Sequence, residues 1–119
     1  MITDNQKDQL ITQVLRETLS RSITWSVMTP PSALAHATQN FIPLYIETDF
    51  RGKRIGIYEC RFRNYTDYDE FYWSETLGIC IVQDPDIVVW QVEEYSPALR
   101  ELFQLAREQA AGLGDLLNF

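Results

Sequence analysis

A single histidine, His36, and two cysteines, Cys60 and Cys80, are all that the chain offers to nucleophilic or soft-metal chemistry. A serine or cysteine triad would have to run through His36, in a loop, and no Gly-x-Ser-x-Gly elbow is present to hold a nucleophile. Zinc asks for four ligands, usually in closely spaced pairs, and one histidine with two distant cysteines does not supply them. Both cysteines lie in apolar, strand-like runs, where a free thiol behaves as a small hydrophobe. A buried pair of thiols is therefore expected, not a disulfide. On these grounds no catalytic residue, metal ligand or cofactor is assigned.

Carboxylates are more plentiful. Asp49 followed by Glu59-Cys60-Arg61 resembles the hairpin of metal-dependent nucleases of the restriction-enzyme type, where an Asp and a Glu-x-Lys gather a divalent cation beside phosphate. The resemblance spans residues 49–61 alone and departs at Arg61, where that family has lysine. The hairpin register expected below also turns Asp49 and Glu59 to opposite faces. Asp67, Asp69 and Glu70 lack the glycine-centred spacing of a calcium loop. They read as solvated acids, with Arg61 or Arg63 as partners. Phe50-Arg51-Gly52-Lys53-Arg54 holds one glycine between strands, so it is no phosphate cradle.

Recognition chemistry is better represented than catalytic chemistry. Tyr65, Tyr68, Phe71, Tyr72 and Trp73 put five aromatics into nine residues, and Tyr and Trp favour the centres of interfaces. Phe71 and Trp73 alternate in step with Leu77, which assigns them to the core. Tyr65, Tyr68 and Tyr72 are left for contact or for folding back on the sheet. Arg51, Lys53, Arg54, Arg61 and Arg63 make up half of the ten basic residues. The C-terminal tail, Leu113, Leu116, Leu117 and Phe119, is apolar enough to pack on its own sheet or on a neighbour. The partner-binding candidates are thus Tyr65, Tyr68, Tyr72, Arg61, Arg63, Leu116 and Phe119.

The elements that must position these residues follow from periodicity. Leu10, Ile11, Val14, Leu15 and Thr18 or Leu19 recur at helical spacing, with Thr3 and Gln6 as a capping box, so a helix runs from about Asp4 to Leu19. Ile23 to Met28 reads as a short strand with Ile23, Trp25 and Val27 on one face, ended by Pro30 and Pro31. Residues 29–40 are the least regular stretch, with one loose helical turn around Ser32–Ala37. Leu44–Phe50 and Arg54–Phe62 form a hairpin about Arg51-Gly52. Its register sets Asp49 opposite Arg54, Tyr45 opposite Tyr58 and Leu44 opposite Glu59. Leu44, Ile46, Thr48, Ile55 and Ile57 then share one face, and Tyr45, Tyr58, Cys60 and Phe62 the other. Phe71–Gln83 and Ile87–Glu94 are the last strands, joined by Asp84-Pro85-Asp86 with Pro85 expected first of the central pair. Leu77, Ile79, Ile81, Val88, Trp90 and Val92 are expected on one of their faces, and Cys80, Val82, Ile87 and Val89 on the other. Ser96-Pro97 opens a final helix with Leu99, Leu102, Phe103, Ala106 and Ala110 as its stripe, and Gly112 or Gly114 ends it.

The expected fold is α+β: an N-terminal helix, a curved, mostly antiparallel five-stranded meander and a C-terminal helix, in one domain of 119 residues. Two helices cover one sheet face. The other face is also oily, and a bare patch of that size calls for a partner or for strong curling. With a formal charge of −7, generic binding to phosphate backbones is disfavoured. No apolar run reaches the roughly 20 residues of a membrane span, and the polar N-terminus is no signal peptide, so a cytoplasmic location is expected. The first functional expectation is a non-catalytic protein-interaction or adaptor domain that self-associates or binds another protein. A small-molecule binder or small enzyme would instead use a cavity in a curled sheet, with His36, Glu47 or Glu59 converging on it. A weak single-stranded nucleic-acid binder would stack bases on Tyr58, Phe62 and Tyr65 between the arginines.

Overall fold

The computed structural model describes residues 3–36, 41–112 and 116–117. The helices are α1 (Asp4–Leu19), α2 (Ser32–His36) and α3 (Pro97–Ala111). The strands are β1 (Ser26–Val27), β2 (Phe41–Phe50), β3 (Lys53–Tyr65), β4 (Phe71–Gln83) and β5 (Ile87–Glu94). The five strands form one antiparallel sheet in sequence order, the α+β meander flanked by helices that the sequence implies.

Local chemistry fixes the ends of the long helices. Thr3 and Gln6 close a capping box on α1, and the Ser96 hydroxyl accepts from the Leu99 amide at the start of α3. Gly112 ends α3 with φ +67°, a left-handed cap that a residue with a Cβ adopts at a cost. Arg51 and Gly52 form the β2–β3 turn with φ of +50° and +80°, the doubly positive pair that matches strand twist. Arg51 is held there by the Phe50 ring and by Glu17 of α1.

One face of the sheet carries α1 and α3. Ile46, Ile55, Ile57, Leu77 and Ile79 pack there against Ile11 and Val14 of α1 and Leu99, Leu102, Phe103 and Ala106 of α3. At the end of α1 it is Thr18, not Leu19, that turns inward: its hydroxyl takes the Trp25 indole N–H and donates to the Val14 carbonyl. Ile23 and Trp25 are buried as expected, yet the strand shrinks to Ser26–Val27, and Val27 is exposed. The reason lies in α3. The Gln109 side chain accepts from the Trp25 amide and donates to the Ile23 carbonyl, so these backbone groups bond to a helix instead of a ladder.

The second face closes on itself. Tyr45 and Tyr58 lie flat over Gly56 and Gly78, where any Cβ would collide with their rings. Their hydroxyls donate to the buried Glu47 and to Glu93. Cys60, Cys80, Val82 and Leu34 complete this cluster, and the fully buried Pro31 precedes α2. Asp86 accepts from the amide and hydroxyl of Ser32, pinning α2 to the β4–β5 turn. The oily surplus read from the sequence is thus shielded by the chain's own residues.

Two assignments in the last hairpin change. The register shifts between Ile81 and Val82, pairing Trp90 with Ile81 but Val88 with Val82. One extra residue, Val89, bulges from the strand, and Val88 joins the second cluster while Ile87 pairs with Gln83 on the helix-bearing face. The Asp84–Pro85 peptide bond is cis.

Candidate functional site

Strand length creates the candidate site. Strands of 13 residues extend about 43 Å at 3.3 Å per residue. Helices of 16 and 15 residues span only about 24 Å at 1.5 Å per residue. β2 begins at Phe41, opposite Arg61, and β5 stops at Glu94, opposite Leu77. Beyond those rows β3 and β4 run on as a bare two-stranded ribbon, through Arg63↔Trp73 to Tyr65↔Phe71.

The ribbon's helix-side face carries Arg61, Arg63 and Tyr65 beside Phe71, Trp73 and Glu75, since antiparallel partners share a face. Tyr65, Phe71 and Trp73 remain 59 %, 43 % and 51 % exposed. The expectation that Phe71 and Trp73 belong to the core is corrected here: their alternation with Leu77 holds, but no helix reaches them. Nor do the tyrosines fold back on the sheet. Arg63 lies over both the Phe71 and Trp73 rings, at 5.0 and 5.5 Å from their centroids. Phe71 stands edge-on to Trp73 and tilted to Tyr65, each at 5.8 Å. On the reverse face the Asn64 amide donates to the Ser74 hydroxyl. Side chains, not neighbouring strands, stiffen a ribbon that would be marginal alone.

Charge is arranged along the ribbon. Arg61 pairs with Glu75 at 3.2 Å, not with the tip acids. Asp67, Asp69 and Glu70 hold no ion pair among the described residues, and no basic residue separates them. Toward the core the ribbon meets α3 in a shallow groove lined by Glu59, Glu75, Arg100, Phe103, Gln104 and Arg107. Arg100 rests on the Tyr95 ring at 5.1 Å, and Arg107 approaches Glu59 at only 3.9 Å.

The other candidates scatter. Tyr72 faces the reverse side with Asn64, and Tyr68 is fully exposed at the tip. α3 runs from Tyr95 at the β5 edge toward Ile23 and Trp25, so Leu116, past its far end, is not part of this cluster. Leu116 and Leu117 are exposed, while Leu113 and Phe119 lie outside the described residues. So does the side chain of His36.

Among the described residues no chemistry gathers elsewhere. Asp49 and Glu59 fall on opposite faces, because the rows they form with Arg54 and Leu44 are five apart, an odd number. Among the described residues no three His, Cys, Asp or Glu side chains group around a possible metal position. Glu47 is buried but engaged by Arg54 at 2.6 Å and by the Tyr45 hydroxyl at 2.8 Å. Cys60 and Cys80 are buried thiols that form no disulfide. Cys60 pairs with Thr76, four positions from Cys80 along β4, or about 13 Å. Burial pushes the Cys80 thiol up to about 12, away from nucleophilic use. No helix among the described residues is long and apolar enough to cross a membrane. Comparisons with protein-family models, curated proteins and solved structures found no match to this chain.

Proposed function

We propose that the chain is a non-catalytic protein-interaction domain that docks through the helix-side face of its projecting β3–β4 ribbon. One observation carries this reading: Tyr65, Phe71 and Trp73 stay in water around Arg63, on a ribbon that contributes nothing to covering the core. With Phe41, which pairs with Arg61, they leave on the order of 400 Å² of aromatic surface exposed, at about 200 Å² per residue. A cluster of that size is characteristic of recognition sites. Aromatic rings with arginine between them also match the composition of interface centres. The rings are held by one another and by Arg63, so little side-chain entropy is lost on docking.

The test is the native mass of the protein in extracts of its own cell, compared with a Tyr65→Ser, Phe71→Ser, Trp73→Ser variant. The wild-type chain is expected to run well above 13.9 kDa and the variant to fall toward it, with unchanged circular dichroism. Equal masses for the two would end this reading.

A further inference from the structure

Resting on that reading of the ribbon, we infer that the occupant of this face is a second copy of the chain. The two copies pack ribbon to ribbon about a two-fold axis, the acidic tip of each entering the arginine-flanked groove beside α3 of the other.

The argument is one of spacing and charge. The tip carries Asp67, Asp69 and Glu70 without a cation among them. The groove has Arg100 and Arg107 on its α3 wall, and its two carboxylates, Glu59 and Glu75, are faced by Arg107 and Arg61. Glu59 marks the groove on β3, and Asp67 marks the tip. Their midpoint along the strand is residue 63, the Arg63↔Trp73 row at the centre of the aromatic cluster. Each end lies four residues from that row, about 13 Å. A two-fold axis through the row lays aromatic cluster on aromatic cluster and brings each tip over the opposite groove, the self-complementarity that a closed dimer requires.

Arg63 and Arg100 are available to receive those acids, and Arg107 is met by Glu59 only at 3.9 Å. Neither Arg63 nor Arg100 has an acidic partner among the described residues; each lies on aromatic rings. A guanidinium held flat on a ring keeps its edge donors available to a carboxylate. Two copies of a chain with charge −7 repel at long range. That repulsion is screened beyond about 8 Å at physiological salt, leaving the contacting pairs to decide. The aromatic area is about half of the roughly 800 Å² per partner usual for a stable complex, and the tip and groove supply the remainder.

Sedimentation equilibrium of the purified full chain tests this. The wild type is expected to dimerise in the micromolar range. Trp73→Ala, Asp67→Arg with Glu70→Arg, and Arg100→Glu with Arg107→Glu should each weaken dimerisation at least about ten-fold, the cost of one or two charge-assisted contacts. The two charge reversals combined in one chain should return the dissociation constant to within about three-fold of wild type. A second measurement does not depend on those variants folding. Asp69→Cys chains mixed with Gln104→Cys chains should cross-link on mild oxidation, and neither alone. A chain that stays monomeric at 100 μM, or a dimer indifferent to the charge reversals, overturns the inference. So does tight binding of a labelled oligothymidylate or oligouridylate to the same face. If the purified chain is monomeric while ribbon variants still lose their complex in cell extracts, only the identity of the occupant falls. If the native mass ignores the ribbon as well, the interaction reading falls with it.

Discussion

Replacing Gly78 by alanine tests how the second sheet face is closed. Tyr58 is wholly buried, and a Cβ at position 78 would lie inside contact distance of its ring and hydroxyl. The neighbours are Cys60, Cys80 and Tyr45, equally buried, so the ring has nowhere to go without moving others. Over-packing of this kind costs about 1–3 kcal/mol. Displacing the ring also strains the Tyr58 hydroxyl bond to Glu93, worth about 1 kcal/mol. A loss of about 3 kcal/mol follows. For 119 residues the unfolding entropy is about 250 cal/mol/K, so the melting temperature should fall by about 12 °C. Gly52→Ala is the control. Its φ is +80° with open space around a new Cβ, so strain alone acts, about 1 kcal/mol and 4 °C. The decisive assay is a double-mutant cycle by calorimetry at one protein concentration. In a Tyr58→Ala background, Gly78→Ala should cost nothing, because the obstructing ring is gone. A Gly78→Ala protein melting within 4 °C of wild type, or a penalty that persists without the ring, would refute the packing argument.

Other outcomes follow from the polar contacts. Arg54→Ala leaves Glu47 buried with the Tyr45 hydroxyl as its remaining partner and removes the contact to Asp84. Because Arg54 itself is partly exposed, about 2 kcal/mol of stability should be lost, read from the urea midpoint. The Lys7–Glu94 pair sets a pH window. The hydrogen bond from Lys7 depresses the Glu94 carboxyl, and the same bond raises Lys7. The depressed acid contributes above its unfolded pKa, near 4.3, and the contribution fades as pH falls through the lower folded value. The raised lysine contributes below about 10.4 and fades as pH rises through its higher folded value. The penalty of Glu94→Gln in urea titrations should therefore be flat across neutral pH and shrink below pH 4. Neither thiol should react with a disulfide reagent at pH 8 until the protein unfolds, since Cys60 and Cys80 are buried and burial lifts Cys80 to about 12. Rapid labelling of the native protein would contradict that closure.

Most of the framework was legible because its signals are local. The capping box at Thr3 and Gln6, the Ser96-Pro97 start of α3 and the Arg51-Gly52 turn each satisfy backbone groups within a few residues. The turn then fixes the β2–β3 register from Phe50↔Lys53 through Tyr45↔Tyr58 to Leu44↔Glu59. What misled was tertiary. Nothing near Ile23 tells that Gln109 will take its ladder bonds, and nothing near Val89 signals a bulge. Composition singles out Tyr65, Arg61 and Arg63. Phe71 and Trp73 were assigned inward because alternation reports which face a side chain takes, not whether anything lies above it. The signal that could have placed them was arithmetic on lengths: strands predicted at up to 13 residues beside helices of similar count, which are half as long per residue.

That difference in rise per residue also explains why the contact surface is not where excess apolar residues first suggested. The second sheet face has no long helix, yet it is dry, because two glycines let two tyrosines lie down on the backbone and α2 caps the rest. The helix-bearing face has two long helices, yet it is wet at one end, because they stop where β3 and β4 continue. Aromatics are needed on the first surface to fold. On the second they stabilise nothing beyond their own ribbon, so removing Trp73 should leave the monomer's melting temperature nearly unchanged while removing Tyr58 should not. Folding and association thus draw on different aromatic residues of the same hairpin, and each can be tested without disturbing the other.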